Sequence, residues 1–95
     1  MDSILQNEKK CYITGSTLDL HKHHIFFGRG KRALSEEYGC WVWLRADWHN
    51  LRSYGVHFNR TLDLRLKREC QKEFEETHSR EEFMSVFGRN YLEEL

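Results

Sequence analysis

The chain has 95 residues, 39% hydrophobic and 14% aromatic, and its 15 Lys/Arg balance 15 Asp/Glu. This length fits a single domain over residues 1–95, and the apolar content excludes an intrinsically disordered chain. No apolar run approaches the roughly 18 residues of a membrane span, and Met1-Asp2-Ser3-Ile4 does not look like a signal peptide. We therefore expect a cytoplasmic protein without a membrane partner.

Charge and cysteine are unevenly placed along the chain. Residues 1–68 carry 12 Lys/Arg and 7 Asp/Glu, whereas residues 69–95 carry 3 and 8. That uneven charge permits a basic face for phosphates, although a merely solvated surface would also produce it.

Cys11, Cys40 and Cys70 form no C-x-x-C pair, so we expect free, buried thiols rather than a zinc knuckle or a disulfide framework.

The first predicted elements lead to a β-strand. Residues 3–10 predict a short helix or turn, and residues 11–15 a small turn. Residues 19–27 are rich in His, Ile and Phe, and we expect a strand that stops at the flexible loop 28–30.

The middle of the chain predicts a second strand. Residues 35–39, Ser-Glu-Glu-Tyr-Gly, look like one capped helical turn ended by glycine. Residues 41–44 are aromatic and β-branched, which favours a strand. The loop that follows, residues 45–55, is long enough to carry function.

The last third predicts two helices. From Asn59 onward, apolar residues recur every four positions at Leu62, Leu66, Cys70 and Phe74, which marks one face of an amphipathic helix. Ser79 opens a capping-box pattern for a second helix, whose expected buried face is Phe83, Val86 and Phe87 and which Gly88 ends or interrupts. The order strand, strand, helix, helix indicates an α+β fold.

Four histidines fall where these elements could bring them together. His23 and His24 lie on the first strand, His49 follows the second, and His57 lies at the start of the long helix. Neighbouring residues of a strand point to opposite faces, so His23 and His24 suit different roles. We predict that His23, His49 and His57 bind one metal ion and that His24 is a general base, because an unperturbed imidazole has a pKa near about 6.5 and can accept a proton at physiological pH.

Nearby residues suggest a phosphate-binding surface. Arg29, Lys31 and Arg32 sit in a glycine-containing loop directly after the His pair, and we expect them to bind nucleic-acid phosphates. A solubilising loop is an equal alternative for each residue separately. Each histidine could likewise be structural, and we expect His21 and His78 to be half-exposed polar side chains.

Several short motifs carry a family resemblance. They are His23-His24-Ile25-Phe26, Ser35-Glu36-x-Tyr38-Gly39, His49-Asn50, Val56-His57-Phe58-Asn59 and, in the C-terminal tail, Phe87-Gly88-Arg89-Asn90-Tyr91-Leu92. The chain resembles the HNH, or ββα-metal, endonucleases, and more narrowly small HNH-like proteins of bacteriophages. The resemblance implies a β-hairpin packed on a helix with the metal between them, to which this chain adds a C-terminal helix.

The resemblance also implies roles and cofactors. His23, His49 and His57 take the metal-ligand positions and His24 that of the general base. The implied reaction is hydrolysis of phosphodiester bonds in nucleic acid, with DNA the expected substrate and Mg²⁺ or Mn²⁺ the expected ion. Zn²⁺ or Ni²⁺ would also suit a site of three imidazoles. If the chain is encoded by a phage, we expect it in the cytoplasm of the bacterial host.

One departure from the family pattern concerns a structural zinc ion. Many HNH relatives hold this ion with a C-x-x-C before the first strand and a further pair after the second. Here Cys11 alone remains, and Thr14, Arg45 and Trp48 occupy the other positions. A closed zinc site needs four ligands, so we expect no structural zinc.

A second departure concerns the residue that orients the base. Family members typically have an Asn between the strands, but residues 28–39 contain none. Asn50 and Asn59 are the candidates to replace it. The alternative function is a catalytically inactive HNH-fold binding module, such as a phage inhibitor of a host defence or nucleic-acid enzyme, with a host protein as partner.

Overall fold

The protein is an α+β fold in which two strands pack with three helices. The computed structural model describes residues 1–93. Its elements are β1 (Leu20–His24), α1 (Lys31–Tyr38), β2 (Trp41–Arg45), a π-helical turn (Asp47–Leu51), a 3-10 turn (Val56–Phe58), α2 (Arg60–Phe74) and α3 (Arg80–Phe87). The predicted fold class is confirmed. No helix within these residues is long and apolar enough to cross a membrane.

The strands β1 and β2 form an antiparallel pair, with α1 in the connection between them. His23 lies opposite Val42, and His24 lies opposite Trp41. The strand predicted over residues 19–27 is shorter at both ends. Asp19 has a φ of 51°, outside the extended region, and the backbone N–H and C=O of Phe26 bond to the Ser35 hydroxyl instead of another strand.

Helix α1 is longer than the single turn predicted over residues 35–39. It begins at Lys31, so Lys31 and Arg32 belong to its first turn rather than to a loop. Ser35 is not a cap, because its fully buried hydroxyl bonds to Phe26. The C-terminal end is as predicted: Gly39 has a φ of 72°, and its N–H bonds to carbonyl oxygens of the last turn.

The N-terminal segment contains bends but no helix, so of the two alternatives for residues 3–10 only the turn is correct. The Ser3 hydroxyl accepts from the N–H groups of Leu5 and Gln6 and donates to the Trp41 carbonyl. The Gln6 side-chain oxygen accepts the N–H of Trp43. Side chains thereby attach this segment to β2, and competition of this kind disfavours a helix.

The two C-terminal helices form the core as predicted. Leu62, Leu66, Cys70 and Phe74 of α2 are all buried, as are Phe83 and Phe87 of α3, whereas Val86 of the predicted face is only partly buried against the core. The ring of Phe26 joins them, with its centroid 4.2 Å from that of Phe87. The capping box of Ser79 and Glu82 is confirmed, and all three cysteines are free and buried. This core holds the back of β1, and the histidines lie at its edge.

Candidate metal centre

Three histidines from three different elements meet at one point. His23 comes from β1, His49 from the π-helical turn and His57 from the 3-10 turn that precedes α2. One ring nitrogen from each lies within 4.8 Å of the other two. The three side chains are therefore close enough to bind one metal ion.

The chain between His49 and His57 is held in a compact shape by local contacts. Arg45 forms two hydrogen bonds with the Asp47 carboxylate, which also accepts the Tyr54 hydroxyl at 2.7 Å. A Cβ at Gly55 would lie only 2.9 Å from the carbonyl oxygens of Asp47 and His49. A residue without a side chain therefore lets the segment fold back on the π-helical turn and directs His49 towards His57.

The spacing of the nitrogen atoms resembles one edge of a coordination sphere. Nε2 of His49 and Nε2 of His57 are 3.1 Å apart. Two nitrogens that each lie about 2.0–2.1 Å from one zinc ion, with an angle at the ion between about 90° (octahedral) and about 109° (tetrahedral), are separated by about 2.8–3.4 Å. These two imidazoles would need little movement to share an ion.

The third histidine has an unsatisfied nitrogen. His23 is 1% exposed, and its buried Nε2 atom has no hydrogen-bond partner among residues 1–93. An unpaired buried polar atom costs about 1–3 kcal/mol. A metal–nitrogen bond would remove that cost, so the donor set fits an ion.

All three rings favour the neutral form that a metal ligand requires. Burial, with help from His49 and His57, lowers the pKa of His23 to about 2. Burial also lowers the pKa of His49 to about 4, again with contributions from neighbouring imidazoles. The pKa of His57 is lowered as well, by partial burial and by Arg32. Their lone pairs are consequently available at neutral pH.

His24 shares a cleft with these three histidines. The cleft has a volume of about 570 Å³ and is lined by Lys22, His23, His24, Phe27, Arg32, His49, Asn50 and His57. Nε2 of His24 lies 3.0 Å from Oε1 of Glu36, a residue of α1. The predicted base therefore lines the same cleft as the three clustered histidines and has a carboxylate partner.

The two asparagines proposed to orient the base do not hold it. Asn59 is the N-cap of α2, and its Oδ1 accepts the N–H of Leu62 at 3.2 Å. Asn50 is exposed on the wall of the cleft and, within the described part of the chain, makes no hydrogen bond to His24. The hydrogen-bond partner of His24 is instead Glu36, which lies 12 positions away in the sequence and is not part of the motifs that suggested the asparagines.

The predicted phosphate-binding residues separate into two groups. Arg29 and Arg32 are exposed, and Arg32 lines the cleft. Lys31 instead donates a hydrogen bond of 2.8 Å to the carbonyl of Phe87 at the end of α3. The Lys31 ammonium therefore links α1 to α3. The sequence had predicted a flexible loop at Lys31, and this contact was not expected there.

Sequence reasoning missed several residues around the cluster. His21 was expected to be a simple surface histidine, but its Nδ1 lies 3.0 Å from Nδ1 of His49. Phe27 lies against His57, and the Lys67 ammonium lies 4.5 Å from the Phe27 ring centroid. Lys67 also pairs with the buried Asp63 at 2.9 Å, and only their i, i+4 spacing could have signalled this.

No protein-family model, curated protein or solved structure matches the chain. Functional inference therefore depends on the chemistry of the cleft itself.

Proposed function

We propose that the protein is a metal-dependent endonuclease of the HNH type that hydrolyses phosphodiester bonds in nucleic acid, with DNA as substrate. One observation carries the proposal: a cluster of three neutral imidazoles shares its cleft with a fourth histidine. A metal site alone would need only the cluster. The fourth imidazole is an additional group in the same cleft that can accept a proton from water, which is the role of a general base in hydrolysis.

In the proposed reaction His24 takes a proton from a water molecule in the cleft. The water oxygen forms a bond to phosphorus while the bond to the 3′-oxygen breaks, and the 3′-oxygen takes up a proton from solvent. An ion held by His23, His49 and His57 would supply Lewis-acid stabilisation of the charge that develops on the phosphate and leaving oxygen. The products are a 5′-phosphate and a 3′-hydroxyl.

The donor set bears on the identity of the ion. Three imidazole nitrogens suit Zn²⁺ or Ni²⁺, whereas Mg²⁺ and Mn²⁺ prefer oxygen ligands. The cluster contains no carboxylate. We therefore place Zn²⁺ and Ni²⁺ first for binding to the free protein, and expect Mg²⁺ or Mn²⁺ to depend more on oxygen atoms of the substrate and water.

The first test separates the base from a ligand. We expect purified protein to nick a supercoiled plasmid with a divalent ion and to stop when a chelator is added. His24→Ala should abolish cleavage but retain metal affinity, whereas His49→Ala should lose both. Glu37→Ala, an exposed change on α1 outside the cleft, is the matched control. Equal loss of metal binding in both histidine variants would contradict the role given to His24.

A binding module without catalysis is the second candidate. The net charge is zero, and residues 69–95 carry 8 Asp/Glu against 3 Lys/Arg, whereas DNA-binding proteins are commonly basic. Wild-type protein that binds an ion but cleaves neither DNA nor RNA with any of Mg²⁺, Mn²⁺, Ni²⁺ and Zn²⁺ would favour this candidate. A host protein would then be the expected partner.

A further inference from the structure

We infer that Glu36 is a positioning residue that fixes the protonation pattern of the His24 ring, keeping the proton on Nε2 and leaving Nδ1 to accept a proton from water. This inference rests on the proposed function for its catalytic consequence. The protonation pattern itself can be measured without any cleavage.

The Glu36 carboxylate lies within hydrogen-bond distance of both His24 and Lys22. Oε1 of Glu36 lies 3.0 Å from Nε2 of His24. The Lys22 ammonium lies 3.2 Å from Oε1 and 3.3 Å from Oε2 of the same carboxylate. The hydrogen bonds from His24 and Lys22 lower the pKa of Glu36, so the carboxylate is ionised at neutral pH.

An ionised carboxylate determines which nitrogen of the ring carries hydrogen. It can only accept hydrogen bonds, so Nε2 of His24 must be the donor in this contact. A neutral imidazole has one N–H and one bare nitrogen. Nδ1 is therefore the lone-pair atom of His24, the form that a general base needs.

The carboxylate is held in place from two sides. The Lys22 ammonium lies 4.0 Å from the ring centroid of Trp41, a buried residue of β2, which restricts where the ammonium can sit. On the other side, Ser35 fastens α1 to the end of β1 through its two hydrogen bonds with Phe26. Glu36 is the next residue along α1, so this attachment sets its distance from His24.

The position is specific to Glu36 among the acidic residues of α1. Within residues 1–93, the hydrogen bond and ion pair of His24 go to Glu36, whereas Glu37 is exposed on another side of α1. The Glu36 side chain is itself 43% exposed, and that of His24 25%. We therefore assign Glu36 an orienting role and not a large share of the folding free energy, since partly exposed ion pairs contribute little to stability.

The experiment compares Glu36→Gln and Glu36→Ala with Glu37→Gln as the matched control. Heteronuclear NMR of ¹⁵N-labelled protein near neutral pH reports which ring nitrogen of His24 bears hydrogen. We expect one form, protonated on Nε2, in the wild type and in Glu37→Gln. An amide can donate or accept, so Glu36→Gln should show both forms; Glu36→Ala should also show both.

Kinetics supply the second measurement. Loss of Glu36 should lower kcat by about 10- to 100-fold, the range found for residues that orient a functional histidine. KM and Zn²⁺ affinity should stay near the wild-type values, because Glu36 is not a predicted ligand or phosphate-binding residue. A simple folding defect would lower all three together.

Two results would overturn the inference. One is a wild-type His24 ring protonated on Nδ1, and the other is a ring that keeps the single Nε2 form in both Glu36 variants. If the wild type cleaves nothing but the NMR pattern is as expected, the nuclease proposal fails while the assignment of Glu36 stands. If the wild type cleaves and the NMR pattern is not as expected, the reverse holds.

Discussion

At the scale of single residues, His21 is placed to orient the ring of His49, one of the three clustered histidines. Its Nδ1 lies 3.0 Å from Nδ1 of His49, and the two rings meet edge to face. If His49 donates its Nδ1–H to His21, then Nε2 of His49 keeps its lone pair towards His57. Metal-binding histidines commonly use their second nitrogen in this way.

We expect His21→Ala to weaken metal binding by about 10-fold or more, because His49 loses the contact that selects its protonated nitrogen. Isothermal titration with Zn²⁺ measures the change. His21→Asn, which can still accept a hydrogen bond, should lose less affinity. Leu18→Ala, an exposed change just before β1, serves as the control. Wild-type affinity in His21→Ala would show that the contact has no role in the site.

At the scale of elements, the attachment of α1 to β1 determines the shape of the cleft wall. The Ser35 hydroxyl donates to the Phe26 carbonyl at 2.7 Å and accepts the Phe26 N–H at 3.1 Å. Ser35 is 0% exposed, so no solvent can replace these bonds. One side chain thereby satisfies both polar groups of a strand end that has no ladder partner.

Ser35→Ala should therefore lower the free energy of unfolding by about 1–3 kcal/mol, the cost of leaving buried polar groups unpaired. Urea denaturation monitored by circular dichroism measures it. The matched control is Ser85→Ala, the same change at an exposed position of α3, where we expect an effect within about 0.5 kcal/mol. Equal midpoints for the two variants would exclude a structural role for the Ser35 hydroxyl.

At the scale of the whole molecule, the buried histidines make stability depend on pH. The unfolded chain protonates its histidines near pH 6.5, whereas folded His49 and His23 resist protonation down to pH values of about 4 and about 2. Between about pH 6.5 and these lower pH values, the unfolded state binds more protons than the folded state. The free energy of unfolding must therefore fall as pH is lowered from 6.5.

We predict a slope approaching about 1.4 kcal/mol per pH unit for each such histidine in the metal-free protein. Urea denaturation at several pH values between 7 and 4.5, with a chelator present, tests this. His49→Gln should reduce by about one the difference in the number of protons bound by the unfolded and folded states. The free energy of unfolding of this variant should therefore depend less steeply on pH. A wild-type protein that is as stable at pH 5 as at pH 7 would show that these rings are protonated in the folded state.

The distribution of charge over the whole molecule should control any binding to nucleic acid. Arg29 and Arg32 are both exposed and Arg32 lines the cleft, while the acidic excess lies in residues 69–95. Reversing Arg29 and Arg32 to Glu should weaken DNA binding and reduce the slope of log affinity against log salt by about 0.7–0.9 for each lost phosphate contact.

Fluorescence anisotropy with a labelled duplex at several salt concentrations measures that slope. Reversal of Lys72 and Arg80, which do not line the cleft, is the charge-matched control. If the Arg29 and Arg32 reversal leaves DNA binding unchanged but disrupts a complex with a host protein, the binding-module candidate replaces the nuclease.

Local sequence was sufficient where local interactions decide the structure. The amphipathic period of α2, the Ser79 capping box and the aromatic β2 are all properties of neighbouring residues, and all are correct. The start of α1 was missed because nothing near Lys31 caps it: its N-cap is Gly30, without a side-chain bond. Tertiary contacts of Ser35 and Lys31 stabilise that helix instead.

The histidine cluster could be predicted in part, because each histidine has a recognisable position relative to a predicted strand or helix. Imidazole at a strand, after a strand and at a helix start is a recognisable arrangement of ligand types, and the three rings do meet. The partners of His24 and His49 could not be predicted. Glu36 and His21 are separated from them by 12 and 28 positions, and no sequence period relates residues brought together only by tertiary folding.

Gly55 lies between His49 and His57 in the sequence and affects how this protein tolerates mutation. Its φ of −64° is open to every amino acid, so backbone conformation does not demand glycine there. Three carbonyl oxygens, of Asp47, His49 and Arg52, would stand within 3.0 Å of any Cβ. In a saturation scan, exposed Ser53 should accept many replacements, whereas position 55 should reject even alanine. The constraint at position 55 is therefore steric. A single methyl group there should be enough to move His49 away from His57.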